Sequence, residues 1–396
     1  MAMTLAPGTV DQEVVDRAVQ LQPLLAERAA AVDASRRLDR DVVAAMTDAG
    51  LWKLQVPHRY GGLEVNLSTK VETIAALAEG CGSTAWVAFI NNICGWVVGL
   101  YGQEAQDDVW GERVHHVCGV LPPWSTSRRV EGGYVVSGRW GFASGSELAE
   151  WATLGFPVTD ASGEVVDEAL ALIPFADVTV EDTWHVTGMR GTGSNTIVVQ
   201  EAFVPDHRVI SQRRFAQEEY ETPHTDEVVY RASFVPQLAI ELASAQLGFG
   251  RAALRLVTGA AGSRGVTYTR YTRYADSVAH QLTMAEAAMQ VDTAAMHVHR
   301  ACTDIETAAA AGVKMDPWTR ARVRADTGWA VRNTHQAIEK LINVYGTSSF
   351  AEGNPLQRIW RDSAICGRHA VADQLVGLEL FGKALAGVDD PITPLV

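Results

Sequence analysis

Positive charge is scarce in this sequence: 33 Lys and Arg stand against 47 Asp and Glu, a formal net charge of −14. A chain that negative repels phosphate backbones and anionic headgroups, which excludes nucleic acid and membrane surfaces as partners. Cysteine is sparse as well. The five present (Cys81, Cys94, Cys118, Cys302, Cys366) form no CxxC pair and are odd in number, which suits reduced thiols in a cytoplasm and not a disulfide framework. Long apolar runs are missing. The longest, Val87 to Tyr101, is broken by Asn91 and Asn92 and falls short of the roughly 20 residues a spanning helix needs. Met1 to Gln12 offers neither the basic nor the apolar region of a secretion signal. The expectation is a soluble cytoplasmic protein.

Nucleotide and metal fingerprints are lacking too. The only G-x-G-x-x-[GA] match, Gly248-Phe249-Gly250-Arg251-Ala252-Ala253, lies inside a helical run with no strand before it, so it reads as small residues at a helix crossing. There is no P-loop, and His297-Val298-His299 is not at helical ligand spacing, so no metal site is expected.

What is present is an ordinary globular balance, 47% hydrophobic and 20% charged over 396 residues, enough for two or three subdomains. Residues 1–115 carry helical apolar spacing. Asp39 can cap a helix over Arg40–Ala49 that Gly50 stops; Ser68 and Ser83 can cap the next two. Residues 116–228 turn to strand patterns: two runs about the turn Glu131-Gly132-Gly133, then Ala152–Val158, Glu168–Pro174 and Asn195–Val204. Ser211 to Asp226 reads as a mobile linker. Residues 229–396 are helical again, with Asp316-Pro317 a helix start and Gly346 its stop. An α–β–α order without β/α alternation argues against a doubly wound sheet. The fold class is α+β, mainly α: an N-terminal helical domain, a central antiparallel β domain and a C-terminal four-helix bundle.

Several segments, in this order, resemble the acyl-CoA dehydrogenase superfamily. They are Gly50-Leu51, Val56-Pro57, Gly61-Gly62-Leu63 and Ser83-Thr84-Ala85-Trp86, then Trp184, Gly188-Met189-Arg190-Gly191-Thr192-Gly193-Ser194 and Phe203-Val204-Pro205. Arg270 and Gln281 resemble the family's R-x-x-x-G-(x)6-Q pair, although Arg273-Tyr274 replaces its Phe-Gly. Pro355 to Asp362 resembles its C-terminal Arg-Asp helix. The likeness runs from about Ala26 to Gly387.

Two departures redirect the reading of function. Dehydrogenases of the family carry a catalytic Glu eight residues after the Arg-Asp aspartate; here that position is Ala370, which cannot take a proton. One residue earlier stands His369, similar to the histidine of the family's reduced-flavin monooxygenases, suited by an ordinary pKa near 6.5 to accept a phenol or ammonium proton. In Trp140-Gly141-Phe142-Ala143-Ser144, Phe142 matches an aromatic that packs on the flavin, with Trp140 beside it. Ser144 matches the hydroxyl facing flavin N5, an acceptor that would preserve a C4a-hydroperoxide.

The resemblance thus implies a two-component monooxygenase using reduced FAD or FMN and O2, with a separate NAD(P)H:flavin reductase as partner. His369 and Ser144 would be catalytic, and Trp140, Phe142, Ser144, Arg270 and Gln281 would hold the cofactor. Arg270 favours FAD, whose pyrophosphate it would meet across a subunit interface, and implies a homotetramer. Hydroxylation of a small phenol or indole is the first expectation. N-oxygenation of an amine such as a nucleotide-linked amino sugar, or acyl-CoA dehydrogenation with a displaced Glu, are the alternatives.

Overall fold

The computed structural model describes residues 5–160, 162–390 and 392–393. Its first region holds α1 (Gln12–Ser35), α2 (Arg40–Asp48), α3 (Leu67–Gly80), α4 (Gly82–Val98) and α5 (Gln103–Trp110). Asp39 caps α2 as expected, its carboxylate accepting the Asp41 and Val42 amides. The other two caps differ from expectation. Asn66 caps α3 through the Thr69 amide, because Leu67 already joins the helix and the Ser68 amide is taken by Glu306 at 2.6 Å. Only Cys81 separates α3 from α4, so Ser83 lies within the first turn of α4 and that helix has no side-chain cap.

Eight strands follow: β1 (Val117–Val120), β2 (Ser125–Val130), β3 (Gly133–Ala143), β4 (Trp151–Thr159), β5 (Val165–Pro174), β6 (Val178–Glu181), β7 (Asn195–Pro205) and β8 (Val209–Ser211). They form two four-stranded sheets in the orders β1-β4-β5-β8 and β2-β3-β7-β6. Every pairing is antiparallel except β1 with β4, which run parallel. Facing residues of the two sheets close a separate apolar core around Val136, Trp140, Leu154, Phe156, Ile173 and Ile197.

The rest is helical: α6 (Gln212–Ala216), α7 (Phe234–Glu241), α8 (Ser244–Ala260), α9 (Val278–Ala311), α10 (Pro317–Tyr345), α11 (Pro355–Cys366) and α12 (Gln374–Ala386). The segment read as a mobile linker contains α6, anchored by the wholly buried Phe215 and by a Tyr220 hydroxyl that donates to the Ala232 carbonyl at 2.7 Å. Asp316 caps α10 as its spacing suggested, and the chain leaves the helix at Gly346. The two helical regions are not independent. One apolar cluster passes from α1 through α3 and α4 into α8, α9 and α10. At the α3–α8 crossing, a Cβ on Gly248 would stand 2.2 Å from the Ala75 carbonyl oxygen, so this glycine serves close helix packing.

All five cysteines are free and buried. No helix among the described residues is long and apolar enough to cross a membrane.

Candidate active site

The site forms where the end of β3, helix α4, the loop 188–194 and the turn after α11 converge. Period-two alternation along β3 would send Trp140 and Phe142 to the same face. A register shift between Trp140 and Ala143 breaks that alternation: Trp140 pairs with Ile197 and Ala143 with Asn195, so one residue is extra. The bulge turns Phe142 into a left-handed conformation (φ +62°) and out of the core, where it is 66% exposed. Its ring meets Trp184 edge-on at 5.9 Å and Trp124 at 6.4 Å, giving an accessible aromatic platform. Trp140 goes the other way. It is fully enclosed between the sheets, with its indole N–H donated to the Gly155 carbonyl at 2.9 Å. Its expected cofactor contact is therefore corrected: it is a core residue beneath the platform.

Two residues beyond Phe142, Ser144 is buried in a chain of hydroxyls whose polarity can be worked out. Thr192 donates to the Met189 carbonyl at 2.8 Å, which can only accept. Thr192 Oγ1 therefore accepts from Ser194 (2.6 Å), and Ser194 Oγ accepts from Ser144 (2.7 Å). The indole N–H of Trp86, on α4, donates to Ser144 Oγ at 3.0 Å. A hydroxyl has one donor and two acceptor positions. Ser144 has spent its proton on Ser194 and one lone pair on Trp86, leaving one lone pair to accept. Behind it lies a void of only about 10 Å³, bordered by Trp52, Val87, Asn91 and His116, with room for no more than about one water.

Loop 188–194 is held from outside the β domain. The Met189 amide (φ +52°) donates to the buried Asp362 carboxylate on α11 at 2.5 Å. Burial pushes that carboxyl up to about 7 despite this bond. The adjacent Arg361 pairs with Asp33 of α1 at 3.2 Å, so the Arg-Asp pair ties α11 to both the first helix and the loop.

His369 follows α11 and begins a short 3-10 turn over Ala370–Ala372. Its ring centroid lies 6.1 Å from that of Trp86, so Trp86 links His369 to Ser144. Burial, and secondarily the charge of Arg324, push the imidazole down to about 4. His369 Nδ1 accepts the Val371 amide at 3.3 Å, so in the neutral ring Nε2 carries the proton. Ala370 occupies the expected place of the dehydrogenase Glu. No carboxylate is hydrogen-bonded to Trp86, Ser144 or His369 among the described residues.

Arg270 and Gln281 lie apart from this cluster. Arg270 is exposed in the α8–α9 loop, its guanidinium over the Tyr271 ring at 5.4 Å. Gln281, in the first turn of α9, donates to the Ala275 carbonyl at 2.6 Å and is also exposed. Sequence reasoning missed Ser194 and Thr192. Their signal was the hydroxyl alternation in Gly191-Thr192-Gly193-Ser194, whose aim depends on the positive φ at Gly193.

A flavin fits what is present: an open aromatic platform, a buried oxygen with one accepting position, and tight space behind it. Comparison with known proteins agrees. The acyl-CoA dehydrogenase N-terminal domain family matches residues 12–115, and the acyl-CoA dehydrogenase C-terminal domain family matches residues 240–374. The chain is 32% identical over 377 residues to a flavin-dependent monooxygenase, oxygenase subunit HsaA, of Rhodococcus jostii, covering 94% of this chain and 97% of that one. It is 29% identical over 389 residues to the oxygenase component of an FADH2-dependent resorcinol hydroxylase from Rhizobium sp., covering 95% and 94%. The solved structure of XiaF from Streptomyces sp. in complex with FADH2 and glycerol superposes with a TM-score of 0.91 at 36% identity, covering 97% of each chain. The chain belongs to the acyl-CoA dehydrogenase superfamily, in its branch of flavin-dependent monooxygenase oxygenase components.

Proposed function

We propose that this chain hydroxylates a small phenol or indole with reduced flavin and O2, the flavin being delivered by a separate NAD(P)H:flavin reductase. The observation that carries the reading is the single unspent lone pair of Ser144 beside the Phe142 platform, with a neutral histidine linked to it through Trp86. When bound, the reduced flavin activates O2 and supplies one oxygen atom to the substrate. The chain's own residues do the rest. Phe142, Trp124 and Trp184 offer a face for a planar ring. Ser144 Oγ accepts from a flavin N–H, which discourages loss of that proton. The void behind Ser144 admits no more than about one water, which limits the water that would divert the oxygen to H2O2.

His369 was expected to accept a proton. With Nδ1 committed to Val371, we assign Nε2–H as a hydrogen-bond donor that holds and polarises the oxygen of a phenolic substrate. Two features favour this over oxidation of an amine: the Nε2–H donor of His369, and the buried Arg324 charge felt by that imidazole, which disfavours an ammonium group. The resorcinol hydroxylase relative acts on an aromatic of this kind.

Reduced FAD is the preferred cofactor, in keeping with the FADH2 bound by XiaF and with the exposed Arg270, free of any carboxylate partner among the described residues and so open to a second phosphate. A homotetramer is proposed on the same grounds, supported by an exposed apolar stripe on α9 through Val278, Leu282, Met289 and Met296. The test is to mix protein with chemically reduced FAD or FMN, ¹⁸O₂ and a set of phenols and indoles, with no reductase present. Single ¹⁸O incorporation into an aromatic supports the reading. Oxidation of an acyl-CoA with a dye acceptor, and no labelled aromatic, would overturn it.

A further inference from the structure

Two parts of the site meet at one peptide, that of Met189. Its carbonyl oxygen accepts the Trp184 indole N–H at 2.9 Å, the Thr192 hydroxyl at 2.8 Å and the Thr192 amide at 3.2 Å. Trp184 is the ring that meets Phe142 edge-on in the platform. Thr192 is the far end of the hydroxyl chain that runs through Ser194 to Ser144. A single carbonyl therefore bears on both the platform and the polarity of the chain.

That carbonyl is held in place against a cost. Met189 has φ +52°, a left-handed backbone that a residue with a Cβ disfavours, and its side chain is fixed in the helical core. Such strain persists only where the surroundings impose it. Here Asp362 imposes it: this residue is 3% exposed, and its Oδ1 accepts the Met189 amide at 2.5 Å. The loop cannot slide to another acceptor, because it is pressed on α11; a Cβ on Gly188 would stand 2.5 Å from the Arg361 carbonyl oxygen. The second oxygen of Asp362 lies by the start of α4, where a Cβ on Gly82 would stand 3.3 Å from it. One turn further along α4 is Trp86, the donor to Ser144.

We propose that Asp362 is a positioning residue for oxygen transfer, acting through the Met189 peptide on Trp184 and Ser144. This rests on reading Ser144 as the oxygen that faces the flavin. With Asp362 in place, Thr192 gives its proton to Met189, and protons along the chain point from Ser144 to Ser194 to Thr192. Without it, Met189 relaxes out of its left-handed turn and its carbonyl swings away. Thr192 is then free to donate to Ser194, and the chain can reverse. Ser194 now donates to Ser144, whose other acceptor position is filled by Trp86, so Ser144 presents a proton where it should present a lone pair.

Asp362→Asn keeps an acceptor for the Met189 amide, and Asp362→Ala removes it. The first readout uses no flavin: exchange of indole N–H groups in ¹⁵N-tryptophan-labelled protein, followed by NMR, with Trp184 assigned through Trp184→Phe. In Asp362→Ala the Trp184 indole should exchange about 10-fold faster or more, and in Asp362→Asn within about twofold of wild type. Trp140, buried and bonded to the Gly155 carbonyl, should not change in either variant, which separates a loosened loop from a loosened fold. The second readout is H2O2 released per product with chemically reduced flavin, which should rise about 3–10-fold in Asp362→Ala and recover in Asp362→Asn. No change at Trp184 or in coupling in Asp362→Ala overturns the proposal. Equal losses in both variants also overturn it, since they would follow the charge and not the held peptide. Should Asp362→Ala fail to fold, Asp362→Ser takes its place, its oxygen ending one bond short of the amide. Wild type decides as well: a Trp184 indole that exchanges as fast as that of Trp124, exposed beside Phe142, would show that the Met189 carbonyl is not held. If Trp184 responds as expected while wild type hydroxylates no aromatic, the proposed function fails and the hold of Asp362 on the loop stands. If wild type hydroxylates and Trp184 does not respond, only the role of Asp362 falls.

Discussion

Ser194 is hydrogen-bonded to Ser144 and Thr192 and not to His369, yet its removal should uncouple oxygen transfer. In the wild type, Ser144 commits its proton to Ser194, which leaves its remaining lone pair free to accept. Ser194→Ala deletes the acceptor. The Ser144 proton then has no fixed direction and competes for the position the lone pair should occupy. A neutral hydrogen bond contributes about 1 kcal/mol, which corresponds to about fivefold in the population of the correct hydroxyl rotamer. H2O2 released per product formed should rise by about 3–10-fold. Ser144→Ala, which removes the oxygen itself, should cost about 10²–10³. The assay runs both variants with chemically reduced flavin, quantifying product by chromatography and H2O2 by a peroxidase-coupled dye. Ser194→Thr keeps a hydroxyl and should restore coupling, which separates orientation from packing. A few degrees' loss of Tm is expected for Ser194→Ala from the unsatisfied Thr192 and Ser144 groups. If coupling in Ser194→Ala matches wild type while Ser144→Ala collapses, the hydroxyl chain does not orient Ser144.

Three further outcomes follow from the geometry. Because His369 is pushed down to about 4, kcat should stay level between pH 8 and about 5 and fall only below that; a break near 6.5 would mean a solvated imidazole. Arg270→Ala should weaken FAD by about 1.5–3 kcal/mol and FMN far less, measured by flavin fluorescence titration; equal weakening would make the residue structural. Asp362 has a folded pKa of about 7, above the carboxyl's ordinary value near 4, so its bound proton stabilises the fold fully below about pH 4, and that contribution is lost as pH rises through 7. Asp362→Asn keeps an acceptor for the Met189 amide but cannot ionise. Relative to it, wild type should lose up to about 4 kcal/mol between pH 4 and 8 in denaturant titrations, and parallel curves would refute the assignment.

Much of the architecture was legible because it is written in local chemistry. Asp39 and Asp316 announce their helices by side-chain caps, and the Glu131-Gly132 turn fixes the β2–β3 register. Ser144 and His369 were named through the resemblance, and the structure brings both against Trp86. What failed was set by contacts distant in sequence. Trp140 and Phe142 share a face in any period-two reading, and only the bulge against β7 separates them. Ser68 lost its capping role to Asn66, and its own amide is taken by a carboxylate 238 residues away, Glu306. That Arg324 Nε and Nη1 are buried without a hydrogen-bond partner likewise depends on distant packing, which no local pattern records.

The division of the molecule into two apolar cores bears on how the site opens. Ala143, one residue before Ser144, belongs to the core between the sheets, whereas Trp86 and Met189 belong to the helical core. The residues that would enclose a substrate therefore straddle the boundary between the two cores, which a hydrogen bond crosses at Trp86–Ser144, and which Trp151, Leu170, Leu172 and Ile210 of the first sheet cross by packing into the helical core. At the site itself Ser144 is tied across by the Trp86 hydrogen bond, so a local parting there, with the packed face of the first sheet held, costs a free energy well below global unfolding. Amide exchange at Ser144 and Met189 should then run faster than in the centres of β4 and α10, with access to the site set by breathing between the units.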